Sequence, residues 1–245
     1  MIDLHLHVLP AVDDGAPDLG AALEMCRMAV EDGCEALVAT PHQRTSMWDN
    51  SDRRHLDAVR AELTAALATA LDGELALYPG AEIRVDGEVL DELDDLLASG
   101  LEPLAESRYL LLEFDRRLPP PDPLELTHEL IVSGWLPIYA HPEHIPFLAG
   151  DLAMVERLAG MGALFQITAG SLTGDVGRFR QEVCRRMIDQ GLAHFVASDA
   201  HNTTSRPPGL SRAQHEITRR WGAETARRLT VDNPRAVVEN RPLPS

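Results

Sequence analysis

Residues 1–7 read MIDLHLH, and this run decides how the rest of the chain is read. Alternation along a strand puts Ile2, Leu4 and Leu6 on one face and Asp3, His5 and His7 on the other. Two imidazoles then stand side by side at the end of an apolar strand. Further apolar runs follow at Ala36–Thr40, Leu75–Pro79, Tyr109–Glu113, Pro137–Ala140, Ala163–Ile167 and His194–Ala197. Between them, apolar residues recur at helical spacing in Leu19–Asp32, Arg53–Leu71, Glu125–Ser133, Leu152–Met161 and Phe179–Gln190. Gly33, Gly134, Gly162 and Gly191 stand where these helices end. Such alternation predicts an α/β fold with parallel strands and right-handed crossovers. A seven-stranded βα barrel or barrel-like sheet is the simplest arrangement, and an open doubly wound sheet is the alternative.

No linker rich in Pro, Gly or Ser divides the chain, so residues 1–245 are expected to form one domain. Pro119–Pro123 reads as a loop after the fourth strand. The acidic Asp86–Ser107 stretch reads as short helices, with Asp91–Asp95 as a solvated face. Beyond Asn233 a short helical turn precedes a fraying tail at Pro242–Ser245.

The net charge of −17 argues against nucleic acid or an anionic membrane surface as partner. All 22 basic residues are arginine, which excludes a P-loop lysine, a Schiff-base lysine and a lysine general base. The three cysteines, Cys26, Cys34 and Cys184, form no CxxC pair, and an odd count argues against a disulfide framework. No apolar run approaches membrane-spanning length, and no cationic, apolar leader precedes Ile2. A soluble, cytoplasmic protein without membrane insertion is expected.

Chemistry-bearing residues collect where the strands end. His5 and His7 close the first strand, with Asp13 and Asp14 in its loop. His42 follows the second strand, Glu82 the third, Glu113 ends the fourth, His141 the fifth, and Asp199 and His201 follow the seventh. In a βα barrel these ends share one face, which carries the active site. One buried histidine is more often a hydrogen-bonded core residue than a ligand. So many imidazoles and carboxylates at one mouth, however, would be badly desolvated without cations. Mixed imidazole and carboxylate donors without thiolate suit Mn, Fe or Zn. Two or three such ions favour hydrolysis, by activating water and clamping the oxygens of a phosphoryl displacement. His55, His128 and His215 read as surface residues, His194 as structural, and Cys26 and Cys34 as packing. The AGSLTG segment, Ala169–Gly174, reads as a tight turn.

Taken together, DLHLH, VDDGA, ATPH, PGAE, LLLEF, AHPE, QITAGS, ASDAHN and RPP resemble the PHP (polymerase and histidinol phosphatase) superfamily. The resemblance runs from Met1 to about Val238. It is closest to the bacterial protein-tyrosine phosphatases of the CpsB/YwqE type, found with capsule and exopolysaccharide assembly. It implies a distorted seven-stranded (βα)7 barrel of the PHP type, holding three divalent ions, with manganese the expected metal. One ion would take His5, His7, Glu82 and Asp199. A second would share Glu82 and add Glu113 and His141. The third would take Asp14, His42 and His201. Arg206 matches the family's phosphate-binding arginine. A second arginine is usual in HPER, and here His144 stands instead, implying a partly protonated imidazole at that clamp. Arg44, Arg116 or Arg117 could take over its role.

The resemblance implies hydrolysis of protein phosphotyrosine by a bridging hydroxide, with a bacterial tyrosine kinase as partner. Thiol phosphatases need an arginine six residues after the nucleophilic cysteine, and here Asp32, Thr40 and Gln190 occupy those places. Alternatives are a phosphatase for histidinol phosphate or a sugar phosphate, and a metal-loaded regulatory subunit. A proofreading nuclease conflicts with the acidic charge.

Overall fold

The computed structural model describes residues 1–48, 50–71, 75–86, 89, 101–117 and 122–244. Most of the acidic stretch, Asp91–Asp95 included, and most of the proline cluster lie outside these residues.

Strand segments are β1 (Ile2–Leu6), β2 (Ala36–Ala39), β3 (His42–Gln43), β4 (Ala76–Tyr78), β5 (Glu82–Val85), β6 (Tyr109–Phe114), β7 (Leu136–Ala140), β8 (Leu164–Thr168) and β9 (Phe195–Ala197). Every pairing among them is parallel, in the orders β1-β2-β4 and β3-β5-β6-β7-β8-β9. The seven expected strands are all present. The other two, β3 and β5, continue β2 and β4 beyond short breaks. Pro41 has no N–H to give a ladder and interrupts the first. At the second break, a Cβ on Gly80 would lie 2.7 Å from Val38 Cγ1, so the chain crosses β2 too closely for any other residue. Backbone bonds also run from His7 N to Ala200 O and from Asp199 N to His5 O, both 2.8 Å. They tie β1 to the segment leaving β9.

The helices are α1 (Leu19–Glu31), α2 (Arg53–Ala70), α3 (Pro123–Val132), α4 (Pro146–Ala149), α5 (Leu152–Gly160), α6 (Ala169–Thr173), α7 (Arg178–Asp189), α8 (Ser211–Trp221), α9 (Ala223–Arg227) and α10 (Asn233–Val238). Asp18, Asp52, Asp122 and Asp151 cap α1, α2, α3 and α5 through their carboxylates, a use for part of the acidic excess. The α8 helix was not among the expected helices; it packs through Ala213 and Ile217 on a narrow apolar side. The AGSLTG segment is a correction: it is the helical turn α6, capped by Thr168, whose Oγ1 accepts from Ser171 N.

Two apolar clusters sandwich the strands, as expected of parallel sheets buried on both faces. The larger joins the strands to α1, α2, α3, α5, α7 and α8. The smaller contains Ile2, Leu4, Val38, Tyr109, Leu111, Ile138, Ala140 and Phe195. On β6 the alternation runs from Tyr109 and Leu111 on to Glu113, so this smaller cluster is the floor beneath the strand-end donors. The simple alternation expected for β1 is corrected here. Its register against β2 passes from Asp3↔Leu37 to Leu6↔Ala39, one extra residue in β1. This β-bulge leaves Ile2 and Leu4 on the floor, sends Leu6 into the larger cluster, and turns His5 and His7 inward.

Candidate metal centre

Each donor reaches the centre by a local backbone device. The bulge aims His5 and His7. The extensions β3 and β5 place His42 and Glu82 opposite each other as a paired register position, rather than in loops. His141 has φ 33° and Asp199 φ 53°, left-handed conformations that re-aim the chain as it leaves β7 and β9. Such residues cost roughly 1–3 kcal/mol each and persist where the surroundings hold them.

All nine expected ligands meet. Their donor atoms form four groups, each within 4.8 Å: His7, Asp14, His42 and His201; His5, Glu82 and His141; His5, His7 and Asp199; His42, Glu82 and Glu113. Glu82 is the hub. Its Oε1 lies 2.7 Å from His141 Nε2 and 3.4 Å from His5 Nε2, and its Oε2 lies 3.0 Å from His42 Nδ1 and 3.5 Å from His7 Nε2. Asp14 Oδ1 is 3.4 Å from both His42 Nε2 and His201 Nε2. His7 thus stands as close to the Asp14 group as to the Asp199 group.

Second partners fix the rings. His7 Nδ1 donates to Asp13 Oδ2 at 2.7 Å, and His5 Nδ1 to Gln166 Oε1 at 2.8 Å. Both Nε2 lone pairs are thereby aimed at the centre, as in carboxylate–histidine–metal pairs. Asp13 also accepts from Gly15 N at 2.9 Å and His42 N at 3.0 Å. Arg84 holds Glu113 Oε2 at 2.8 Å and Asp115 at 3.0 Å. The sequence places Asp13 at the strand ends without a ligand role, and it does not single out Gln166 or Arg84.

The donor set fits metal. His5 Nε2, His7 Nε2 and Asp199 Oδ1 are buried without a hydrogen-bond partner and converge on one space. Cations satisfy such groups where further protein donors cannot.

Electrostatics point the same way. Burial disfavours charge on His5, but Glu82 and Asp199 outweigh it and carry His5 up to about 9. Burial likewise opposes charge on His42, while Asp14 and Glu82 lift it to about 11. Burial raises Asp199, but His5, His141 and Arg206 bring it to about 2. Imidazole pKa values above the ordinary ~6.5 stabilise the metal-free fold below that pH, and the benefit is lost as pH rises through about 9 for His5. Depressed carboxylates stabilise above about pH 4, and the Asp199 share is lost as pH falls through about 2. Metal-free protein is therefore expected to be most stable near pH 4–6.5. Ligation needs neutral imidazoles, so the gain in melting temperature on adding Mn²⁺ should grow steadily from pH 6 to pH 9. Thermal unfolding with and without the metal measures it; a gain independent of pH would contradict this account.

The remaining expected site residues lie nearby. Arg206 NH2 contacts Asp199 Oδ2 at 2.7 Å and borders both the metal mouth and an adjoining cleft of about 570 Å³. His144 lies on the wall of that cleft, its Nε2 2.9 Å from Ser171 Oγ. Burial, with His141, Arg116 and Arg180, pushes its pKa down to about 3. Arg44 faces Asp86 at 3.5 Å and does not line the cleft. Arg116 lines both spaces, and Arg117 lines the mouth. Arg180, on α7, lines the cleft and was not singled out in the sequence. His55, His128 and His215 are exposed, and His194 bonds β8 through Phe165 N, as expected. All three cysteines are buried, and burial pushes Cys26 up to about 12 and raises Cys34 and Cys184 as well.

The scaffold and site define a parallel α/β protein built to hold more than one metal ion at its strand ends. The chain belongs to the CpsB/CapC family of capsular polysaccharide synthesis, whose model matches residues 1–239. It is 35% identical to the tyrosine-protein phosphatase YwqE of Bacillus subtilis over 243 residues, covering 99% of this chain and 93% of that one. It is 29% identical to the tyrosine-protein phosphatase CpsB of Streptococcus pneumoniae, covering 97% and 98%. The solved structure from work on those two metal-dependent tyrosine phosphatases superposes with a TM-score of 0.91 at 33% identity, covering 99% of this chain and 96% of that one. The Escherichia coli phosphotriesterase homology protein shares the fold alone, with a TM-score of 0.59 at 14% identity over 96% of each chain. The resemblance read from the motifs is borne out.

Proposed function

We propose that this protein is a metal-dependent protein-tyrosine phosphatase acting on a tyrosine kinase of capsule or exopolysaccharide assembly. The observation that carries the reading is the convergence of nine donors on one buried space with Arg206 at its edge. The finer reading is a closed, distorted seven-stranded barrel forming one domain over residues 1–245, working in the cytoplasm. Three ions, manganese first among candidates, would be held by His5, His7, Glu82 and Asp199; by Glu82, Glu113 and His141; and by Asp14, His42 and His201. Among the described residues no helix is long and apolar enough to cross a membrane.

Bound divalent ions supply hydroxide from water near neutral pH and neutralise phosphoryl charge. The chain's own residues do the rest. Arg206 keeps one amino group on Asp199 and has further N–H donors for equatorial phosphoryl oxygens. Asp13 and Gln166 hold His7 and His5 in one tautomer. The cleft beside Arg206 offers Pro207, Pro208 and Val176 as apolar walls for a tyrosyl ring. A phenolate leaves with a pKa of about 10, so little is asked of a general acid. The buried thiols are not poised as nucleophiles.

The test is metal analysis and turnover in one sample, with a phosphotyrosine peptide, p-nitrophenyl phosphate and histidinol phosphate as substrates. The peptide is expected to be preferred, and chelation to abolish turnover until Mn²⁺ is restored. Turnover surviving in demonstrably metal-free protein would refute the reading, and a preference for histidinol phosphate would replace it with a small-molecule phosphatase.

A further inference from the structure

The cleft beyond Arg206 carries positive charge that the proposed chemistry does not use. Three carboxylates border it, and each is engaged. Asp32 accepts from Leu210 N at 2.6 Å and Ser211 N at 2.8 Å. Asp175 is bound by both amino groups of Arg212, at 3.1 and 3.2 Å. Asp199 belongs to the metal donors and to Arg206. Arg116 and Arg180 line the same cleft, and among the described residues neither forms an ion pair. Arg180 makes one long bond, NH1 to Val176 O at 3.3 Å, and its Nε is buried with no partner. In a chain of net charge −17, two guanidinium groups left without carboxylates beside a reactive centre stand out. Arg116 is exposed, while Arg180 is partly desolvated, and such an unpaired cation is costly unless an anion completes it.

We propose that Arg116 and Arg180 form a second anion subsite, which receives an acidic group next to the phosphotyrosine in the substrate chain. It rests on the phosphotyrosine reading above. The reacting phosphoryl group already meets the metal site and Arg206. The tyrosyl ring passes the Val176 and Pro207 wall, and the flanking residue then comes to the free guanidinium groups. A carboxylate and a second phosphoryl group present the same oxygens to a guanidinium fork. The enzyme would thereby select acidic or multiply phosphorylated tyrosine segments.

Four phosphotyrosine peptides test this, with glutamate, glutamine, arginine or a second phosphotyrosine beside the reacting residue. The readout is the ratio of kcat/KM between peptides, which does not depend on how much of a variant is folded or loaded. The parent is expected to favour the glutamate peptide over the glutamine one by about tenfold, the worth of one charge-assisted bond. The doubly phosphorylated peptide should be favoured at least as strongly if phosphoryl is the better occupant. Arg180→Gln should bring the ratio close to one, Arg180→Lys should keep most of it, and Arg180→Glu should turn preference towards the arginine peptide. Equal turnover of all four peptides by the parent overturns this proposal alone. So does an Arg180→Gln ratio equal to the parent's, or an equal loss on every peptide, which would place Arg180 on the reacting phosphoryl group. A parent that hydrolyses none of them overturns the phosphatase reading as well.

Discussion

Glu82→Gln is expected to lower turnover of a phosphotyrosine peptide on the order of a thousandfold and to strip the centre of most of its metal. The change is nearly isosteric, so the effect is one of charge. Glu82 is buried and reaches His5, His7, His42 and His141 with its two oxygens. Burial works against its charge, but His5, His141 and His42 hold it well below the usual carboxylate range. Without it, imidazoles now held above their ordinary values fall back, and alkaline pH should destabilise the metal-free variant less than the parent. Metal content, turnover and melting temperature across pH 5–9 read all three effects. A variant that binds a full complement of metal and works within tenfold of the parent would remove Glu82 from the centre.

The second large effect is structural and begins outside the ligands. Gly15→Ala would place a Cβ 2.1 Å from the His7 carbonyl oxygen and 2.5 Å from His7 Cβ. Neither atom is the free end of a side chain, so backbone must move. The movement would break the Ala16 N to His7 O bond of 3.1 Å and disturb the Asp13 carboxylate that orients His7. A loss of about 3 kcal/mol or more is expected, seen as roughly 6–12 °C in melting temperature for a chain of this size. Metal affinity should fall as well. Gly160→Ala is the matched control: at the end of α5 its Cβ meets nothing within 4 Å, and it should change stability by less than about 0.5 kcal/mol. A Gly15→Ala protein melting within 2 °C of the parent would contradict the packing described.

Much of this was legible in the chain because polar residues at the ends of apolar runs are conspicuous. The seven expected strands were visible for that reason, and the nine donors converge. What stayed hidden was phase. Counting by twos along β1 puts His5 opposite Leu4 but cannot register the inserted residue that keeps Leu4 on the floor and turns Leu6 away. Breaks at Pro41 and Gly80 hid the strand extensions that carry His42 and Glu82, since a broken run reads as a loop. Gln166 and Arg84 touch the donors through topology, and one sequence offers no signal for that. Arg180 lies on a helix remote in sequence from every donor, and the burial of His144 could not be read from the chain.

The bulge in β1 has one more consequence. A strand of strict alternation offers each side of a sheet one character along its whole length. With a single extra residue, β1 is greasy at its beginning and ligating at its end on the same side. The switch between insulation and reactivity is therefore written in the register, and the same residues paired in strict alternation, without the bulge, would point the imidazoles at the helices with the composition of the strand unchanged.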